Sequence, residues 1–138
     1  MIVKGKLSRK HMMAIDHFAD MLLTHQMKRH IMVKVVFKNK LPALGFTSVE
    51  DYNVSGKPRH FILEIRRNQT EKELLRTIAH EMVHVKQYAC NEMNEEGTRW
   101  MNRSIDYDNT PYHEQPWEIE AHEIGDLIYE DFISDYKN

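Results

Sequence analysis

Apolar residues recur along this chain with two periods, and the switches between them mark out the elements. From Ser8 to about Gln26, Met12, Ile15, Phe18, Ala19 and Leu22 stand three and four apart. That is the spacing of one helix face, with Ser8 placed as its N-cap. From Ile31 to Lys38, Val33, Val35, Val36 and Phe37 supply the β-branched and aromatic weight of a strand, which Pro42 ends. A second strand is expected over residues 43–51, with Gly45 as a bend or a point of close approach. Asn53 to Pro58 reads as a turn that reverses at Ser55-Gly56. His60 to Arg66 alternates strictly, with Phe61, Leu63 and Ile65 facing one way and His60, Ile62, Glu64 and Arg66 the other.

The helical period returns between Thr70 and Cys90 with Leu74, Leu75, Ile78, Met82, Val85 and Ala89, and Thr70-Glu71-Lys72-Glu73 forms a capping box at its start. Then the pattern fails from Asn91 to Gln115, a stretch too long for a simple connection in a small domain and expected to be a functional or flexible loop. Trp100, Tyr107, Tyr112 and His113 lie in it and either wall a cleft or pin the loop; pinning is the reading for Trp100. Pro116 opens a last helix, with Trp117, Ala121, Ile124, Ile128 and Phe132 as its apolar face and acidic residues in its first turn. The prediction is one α+β domain over residues 1–138. It has an N-terminal helix, a three-stranded sheet, a long central helix, a long loop and a C-terminal helix.

Composition narrows the class. No run of 18 apolar residues exists, so no membrane span is expected. The basic segment Met1 to Lys10 lacks the apolar stretch of a secretory signal. A single cysteine, Cys90, excludes a disulfide framework and a cysteine zinc ribbon within this chain. A cytoplasmic protein is expected, in the host cytoplasm if the chain is virus-encoded. The net charge of −2 hides a gradient: residues 1–40 carry nine Lys/Arg against two Asp, and residues 91–138 carry three against thirteen acidic residues. A basic N-terminal third can touch nucleic acid or an acidic partner. Basic and aromatic residues are not interleaved there, so mutual neutralisation of the two ends is the favoured reading.

The chemistry concentrates in His80-Glu81-Met82-Val83-His84. On a helix, residues four apart share a face, so both imidazoles can grip one metal ion while Glu81 reaches a water bound to it. The metal lowers the pKa of that water and the carboxylate takes its proton, as a zinc hydrolase requires. In a chain this rich in histidine the pattern arises by chance in about one sequence in twenty. Its position on the flank of an apolar helical stripe favours a ligand pair at the floor of a cleft. His11, His17, His25 and His30 have no such pair spacing, and the methionines read as core filler.

Two histidines leave zinc short of a third protein ligand. No further ligand follows His84 at short range, so the last helix is expected to supply it from Glu118, Glu120, His122 or Glu123. On a helical wheel Glu120 falls between Leu127 and Ile124, among the apolar positions, and Glu118 at their edge, while His122 and Glu123 point away. Glu120 is therefore the expected ligand, with Glu118 the alternative. Asp126 or Glu118 is a candidate to orient an imidazole from behind.

His80-Glu81-Met82-Val83-His84, followed after a loop by Pro116-Trp117-Glu118-Ile119-Glu120-Ala121, resembles the SprT-like zinc metallopeptidase domains, a zincin-like family. It is most similar to the short versions found in viral and mobile-element genomes. The repressor-cleaving peptidases of mobile elements carry a similar arrangement. The order helix, three strands, metal helix also resembles that fold. The resemblance implies a zinc-dependent, HEXXH-type metalloprotease acting on a protein or peptide substrate. It implies His80 and His84 as zinc ligands, Glu81 as general base and the third ligand in the Glu-Ala segment, hence Glu120. Larger members bear a cysteine zinc ribbon and act at DNA; this chain lacks the ribbon. Tyr112, His113 or Tyr88 is expected to add a hydrogen bond at the reacting carbonyl. The strand from Phe61 to Arg66 is expected to lie at a sheet edge where an extended peptide can pair. The alternatives are a non-catalytic zinc-containing module that holds nucleic acid or a protein through the basic third, and a hydrolase of another bond.

Overall fold

A computed structural model describes residues 1–137 of the chain. The fold mixes helices with one four-stranded sheet. In chain order it runs β1 (Ile2–Lys4), α1 (Arg9–Leu22), α2 (His25–Lys28), β2 (Met32–Lys38), β3 (Gly45–Tyr52), β4 (Pro58–Arg66), α3 (Glu71–Ala89), β5 (Arg99–Trp100), β6 (Arg103–Ser104) and α4 (Pro116–Lys137). Two 3-10 turns, Tyr107–Asn109 and Tyr112–Glu114, lie between β6 and α4.

The sheet order is β1-β2-β4-β3, with β1, β2 and β4 parallel and β3 antiparallel to β4. Sequence periodicity predicts three of these strands. The fourth, β1, has three residues, too few for an alternation to register. The strand from Phe61 to Arg66 is not an edge: β4 is flanked by β2 and β3 along its length. The edge strands are β1 and β3. Phe61, Leu63 and Ile65 are fully buried, as strict alternation requires.

One face of the sheet packs on α1, α3 and, through them, α4. Ala14, Ile15, Phe18 and Ala19 of α1 meet Leu75, Ile78, Met82 and Val83 of α3 in a single core that Ala121, Ile128 and Phe132 of α4 complete. Each large buried side chain contributes roughly 1.5–3 kcal/mol. Three N-caps set the helix starts: Ser8, Thr24 and Thr70 accept from His11, Met27 and Glu73 backbone N–H groups. At Thr70 the reciprocal bond from its own N–H to the Glu73 carboxylate closes the capping box.

The 91–115 segment is not structureless. A second core of Met93, Trp100 and Trp117 ties it to α4, so Trp100 pins the loop. The two ends of the chain meet where His17 of α1 bonds Asp131 of α4 at 2.8 Å. Among the described residues no helix is long and apolar enough to cross a membrane.

Candidate metal centre

His80, Glu81 and His84 form a cluster able to hold a metal ion. Residues 74–89 of α3 are mostly buried, so its ligand-bearing turns are fixed from below by Ile78, Met82 and Val83. Glu81 is 4 % and His84 7 % exposed. Groups this buried must be paired, and among the described residues every buried side-chain polar atom has a hydrogen-bond partner.

The partner of both imidazoles is Glu118, not Glu120. Its Oε1 lies 2.9 Å from His80 Nε2 and 3.0 Å from His84 Nε2. The Glu120 carboxylate turns elsewhere: it accepts from Gln87 Nε2 at 3.2 Å and pairs with Lys86 at 3.5 Å. The wheel puts Glu120 on the apolar face because it counts both Leu127 and Ile124, on either side of it, as positions of that face. Leu127 is 65 % exposed, and the buried positions are Trp117, Ala121, Gly125, Ile128, Tyr129 and Phe132. At about 100° per residue from Trp117 these span roughly 0–120°, which includes Glu118 near 100° and leaves Glu120 outside near 300°. His122, near 140° on that scale, does not point away either: its ring lies 4.5 Å from the His80 ring, centroid to centroid. Asp126 pairs with Arg76 at 3.4 Å and is not the group that orients an imidazole.

The buried amide of Gln87 supplies that orientation, and nothing in the sequence singled it out. Its Nε2 donates to the Trp117 carbonyl at 3.0 Å, which leaves Oε1 facing His84 Nδ1 at 2.7 Å. Nδ1 therefore carries a proton toward Gln87, and in the metal-free fold Nε2 carries a second toward the Glu118 carboxylate, the proton a metal ion would replace, so the ring is a ligand supported from behind. A glutamine three residues on from the second histidine, on the same helix face, is the signal that could have found it.

Glu81 is held by β3. Thr47 Oγ1 donates to Glu81 Oε1 at 2.8 Å. Gly45 makes room for the other oxygen, since a Cβ there would stand 3.0 Å from Glu81 Oε2 and 2.8 Å from Thr77 Cγ2. Gly45 is thus a close-approach point, one of the two readings its position allowed. Tyr112 donates its hydroxyl to Glu118 Oε1 at 3.2 Å and lies 3.1 Å from His122 Nε2. Tyr88 lines the same cleft, and His113 is exposed outside it.

The electrostatics follow from this crowding. Burial opposes charge on His84, but the Glu118 hydrogen bond and the Glu81 and Glu118 charges outweigh it and raise its pKa to about 9. Burial would raise Glu118, yet hydrogen bonds from His80 and His84 hold its carboxyl well below the usual range. Burial and the His80 charge lower His122. Burial, then Glu118, push the Tyr112 hydroxyl up. Two imidazole nitrogens and a carboxylate oxygen converge here with a second carboxylate alongside, at the floor of a cleft of about 830 Å³. Such a set could hold a metal ion.

The chain matches no protein-family model, no curated protein and no solved structure.

Proposed function

We propose that this chain is a zinc-dependent metallopeptidase in which His80, His84 and Glu118 hold the ion. The observation that carries the reading is the shared approach of Glu118 Oε1 to both imidazole Nε2 atoms, beside a Glu81 carboxylate that Thr47 holds. Two imidazoles and one carboxylate suit zinc and leave a coordination position open. The SprT-like, zincin-like resemblance agrees with this donor set once the third ligand is moved from Glu120 to Glu118.

Zinc, when bound, supplies Lewis acidity that polarises a carbonyl and makes a water acidic enough to deprotonate at neutral pH. The chain's own residues do the rest. Glu81 takes the proton from the attacking water and delivers it to the leaving amine. Thr47 keeps one Glu81 oxygen bonded, so the other, beside Gly45, is the basic one. Tyr112 is free to donate to a developing oxyanion once Glu118 engages the metal. The edge strand β3, not β4, presents unpaired backbone groups along the cleft and can receive an extended peptide.

The test is metal content and turnover together. Purified wild type binds about one zinc per chain and cleaves a peptide library. Glu81→Gln retains zinc and is inactive, and His84→Ala loses both. Wild type that takes up no zinc on reconstitution would end the proposal.

A further inference from the structure

The Tyr112 side chain reaches the metal centre from a surface turn, and the turn alone does not aim it. Its backbone is tied to α4 through Gln115. The Gln115 N–H donates to the Tyr112 carbonyl at 3.1 Å, and the buried Gln115 side chain donates from Nε2 to the Thr110 carbonyl at 3.1 Å. The Gln115 carbonyl accepts from the Glu118 and Ile119 N–H groups in the first turn of α4. These bonds set the Tyr112 backbone beside Glu118. The ring is half exposed, and rotation about its Cα–Cβ bond would carry the hydroxyl out of the cleft.

His122 stands where it stops that rotation. It lies four residues after Glu118, one helical turn along the same side of α4. Its ring meets the His80 ring edge-on at 4.5 Å and the Tyr112 ring edge-on at 5.9 Å, so it is wedged between them. Its Nε2 is 3.1 Å from the Tyr112 oxygen. The direction of that bond follows from counting protons. A phenol has one, and Tyr112 gives it to Glu118 Oε1, a carboxylate oxygen that only accepts. The Tyr112 oxygen is therefore the acceptor toward His122, and Nε2 carries the proton. Donation into the phenol oxygen also strengthens the phenol's own donation, as along any chain of hydrogen bonds.

We propose that His122 is a positioning residue: its Nε2–H holds the Tyr112 oxygen, so that the hydroxyl proton points at an oxygen bound in the cleft beside His80, His84 and Glu118. The role rests on the metallopeptidase reading for its natural object, a peptide carbonyl, but it serves any oxygen ligand at that place. His122 acts through Tyr112 alone. When Glu118 is engaged elsewhere, the hydroxyl keeps its bond to His122 and has its proton to give.

The experiment uses the full chain, zinc-loaded, and titrates it with acetohydroxamic acid or propanethiol in a calorimeter. The first probe brings an anionic oxygen and the second a sulfur, a weak acceptor. Tyr112→Phe and His122→Phe each weaken acetohydroxamate roughly fivefold, the scale of one hydrogen bond, and leave propanethiol unchanged. The double variant is no weaker than either single one. His122→Gln, which returns an N–H close to the Nε2 position, recovers most of the affinity. Zinc stays near one per chain throughout. Unchanged acetohydroxamate affinity in His122→Phe, or no recovery in His122→Gln, overturns the role. Equal weakening of both probes also overturns it, since that is the result if His122 merely pins the loop. Peptide turnover separates the role from the reading beneath it. Both stand if the parent cleaves and His122→Phe lowers kcat about fivefold with KM unchanged. Cleavage with the same kcat in His122→Phe sinks the role and spares the peptidase. The probe pattern without any cleavage sinks the peptidase and spares the role.

Discussion

Gln87 and His84 are joined by a 2.7 Å hydrogen bond between side chains three residues apart on one helix. The amide cannot turn over without abandoning the Trp117 carbonyl on α4. One glutamine therefore fixes an imidazole on its own helix and reads the position of the helix that brings Glu118. Gln87→Leu leaves His84 free to rotate and the Trp117 carbonyl unpaired. Zinc affinity falls about 10–100-fold, measured by chelator competition, while the helical circular-dichroism signal is kept.

Glu118 and Glu120 separate cleanly by substitution. Glu118→Gln removes the carboxylate that faces both imidazoles and abolishes stoichiometric zinc in elemental analysis. Glu120→Gln perturbs only the Gln87 and Lys86 contacts, and zinc stays near one per chain. Zinc loss in Glu120→Gln alone would restore Glu120 as the ligand.

Thr47 controls the base. Thr47→Val removes the donor to Glu81 without changing the side chain's shape, at a cost of about 1 kcal/mol in stability. Zinc content is unchanged and kcat falls, by less than the roughly 10²–10⁴-fold of Glu81→Gln. An unaltered kcat would show that Glu81 needs no orientation.

The pH dependence has a definite sign. His84 has an ordinary pKa of 6.5 and is raised to about 9 in the metal-free fold, so its contribution to stability is complete below 6.5 and lost as pH rises through about 9. Glu118 is depressed from 4.5, so its contribution is present above 4.5 and lost at lower pH. The metal-free protein thus gains most from this pair between those two ordinary values. Zinc must displace the His84 proton below pH 9, so its affinity climbs with pH up to that point. The zinc-induced rise in Tm, measured by scanning calorimetry, is larger at pH 8.5 than at pH 6. A flat or reversed dependence would refute the shared Glu118 contact.

Much of this was written into local pattern. The capping box at Thr70, the alternation of Phe61, Leu63 and Ile65 and the paired histidines each depend on neighbours within one turn or one strand. The structure departs from local pattern where a distant element decides. Ile124 and Leu127 are as apolar as Ile128, yet α3 covers only one side of α4 and leaves Leu127 in water. That rotates the buried face toward Glu118 and His122, and no wheel drawn from α4 alone reports it. The β5–β6 pair has two residues per strand and exists because Trp100 packs against Met93 and Trp117. The central place of β4 likewise depends on β2 lying parallel beside it, a long-range pairing.

Gly125 rests on the backbone of His80, where a Cβ would come within 3.2 Å of the His80 Cα. It is a point of close approach of the two helices, seven residues after Glu118 and seven before Phe132. At 1.5 Å per residue each arm is about 10 Å long. A methyl group at this position would push α4 off the backbone of His80, and the Glu118 carboxylate, two helical turns along the same rod, would move with it. The smallest residue of α4 thus sets the width of the space between the carboxylate and the two imidazoles.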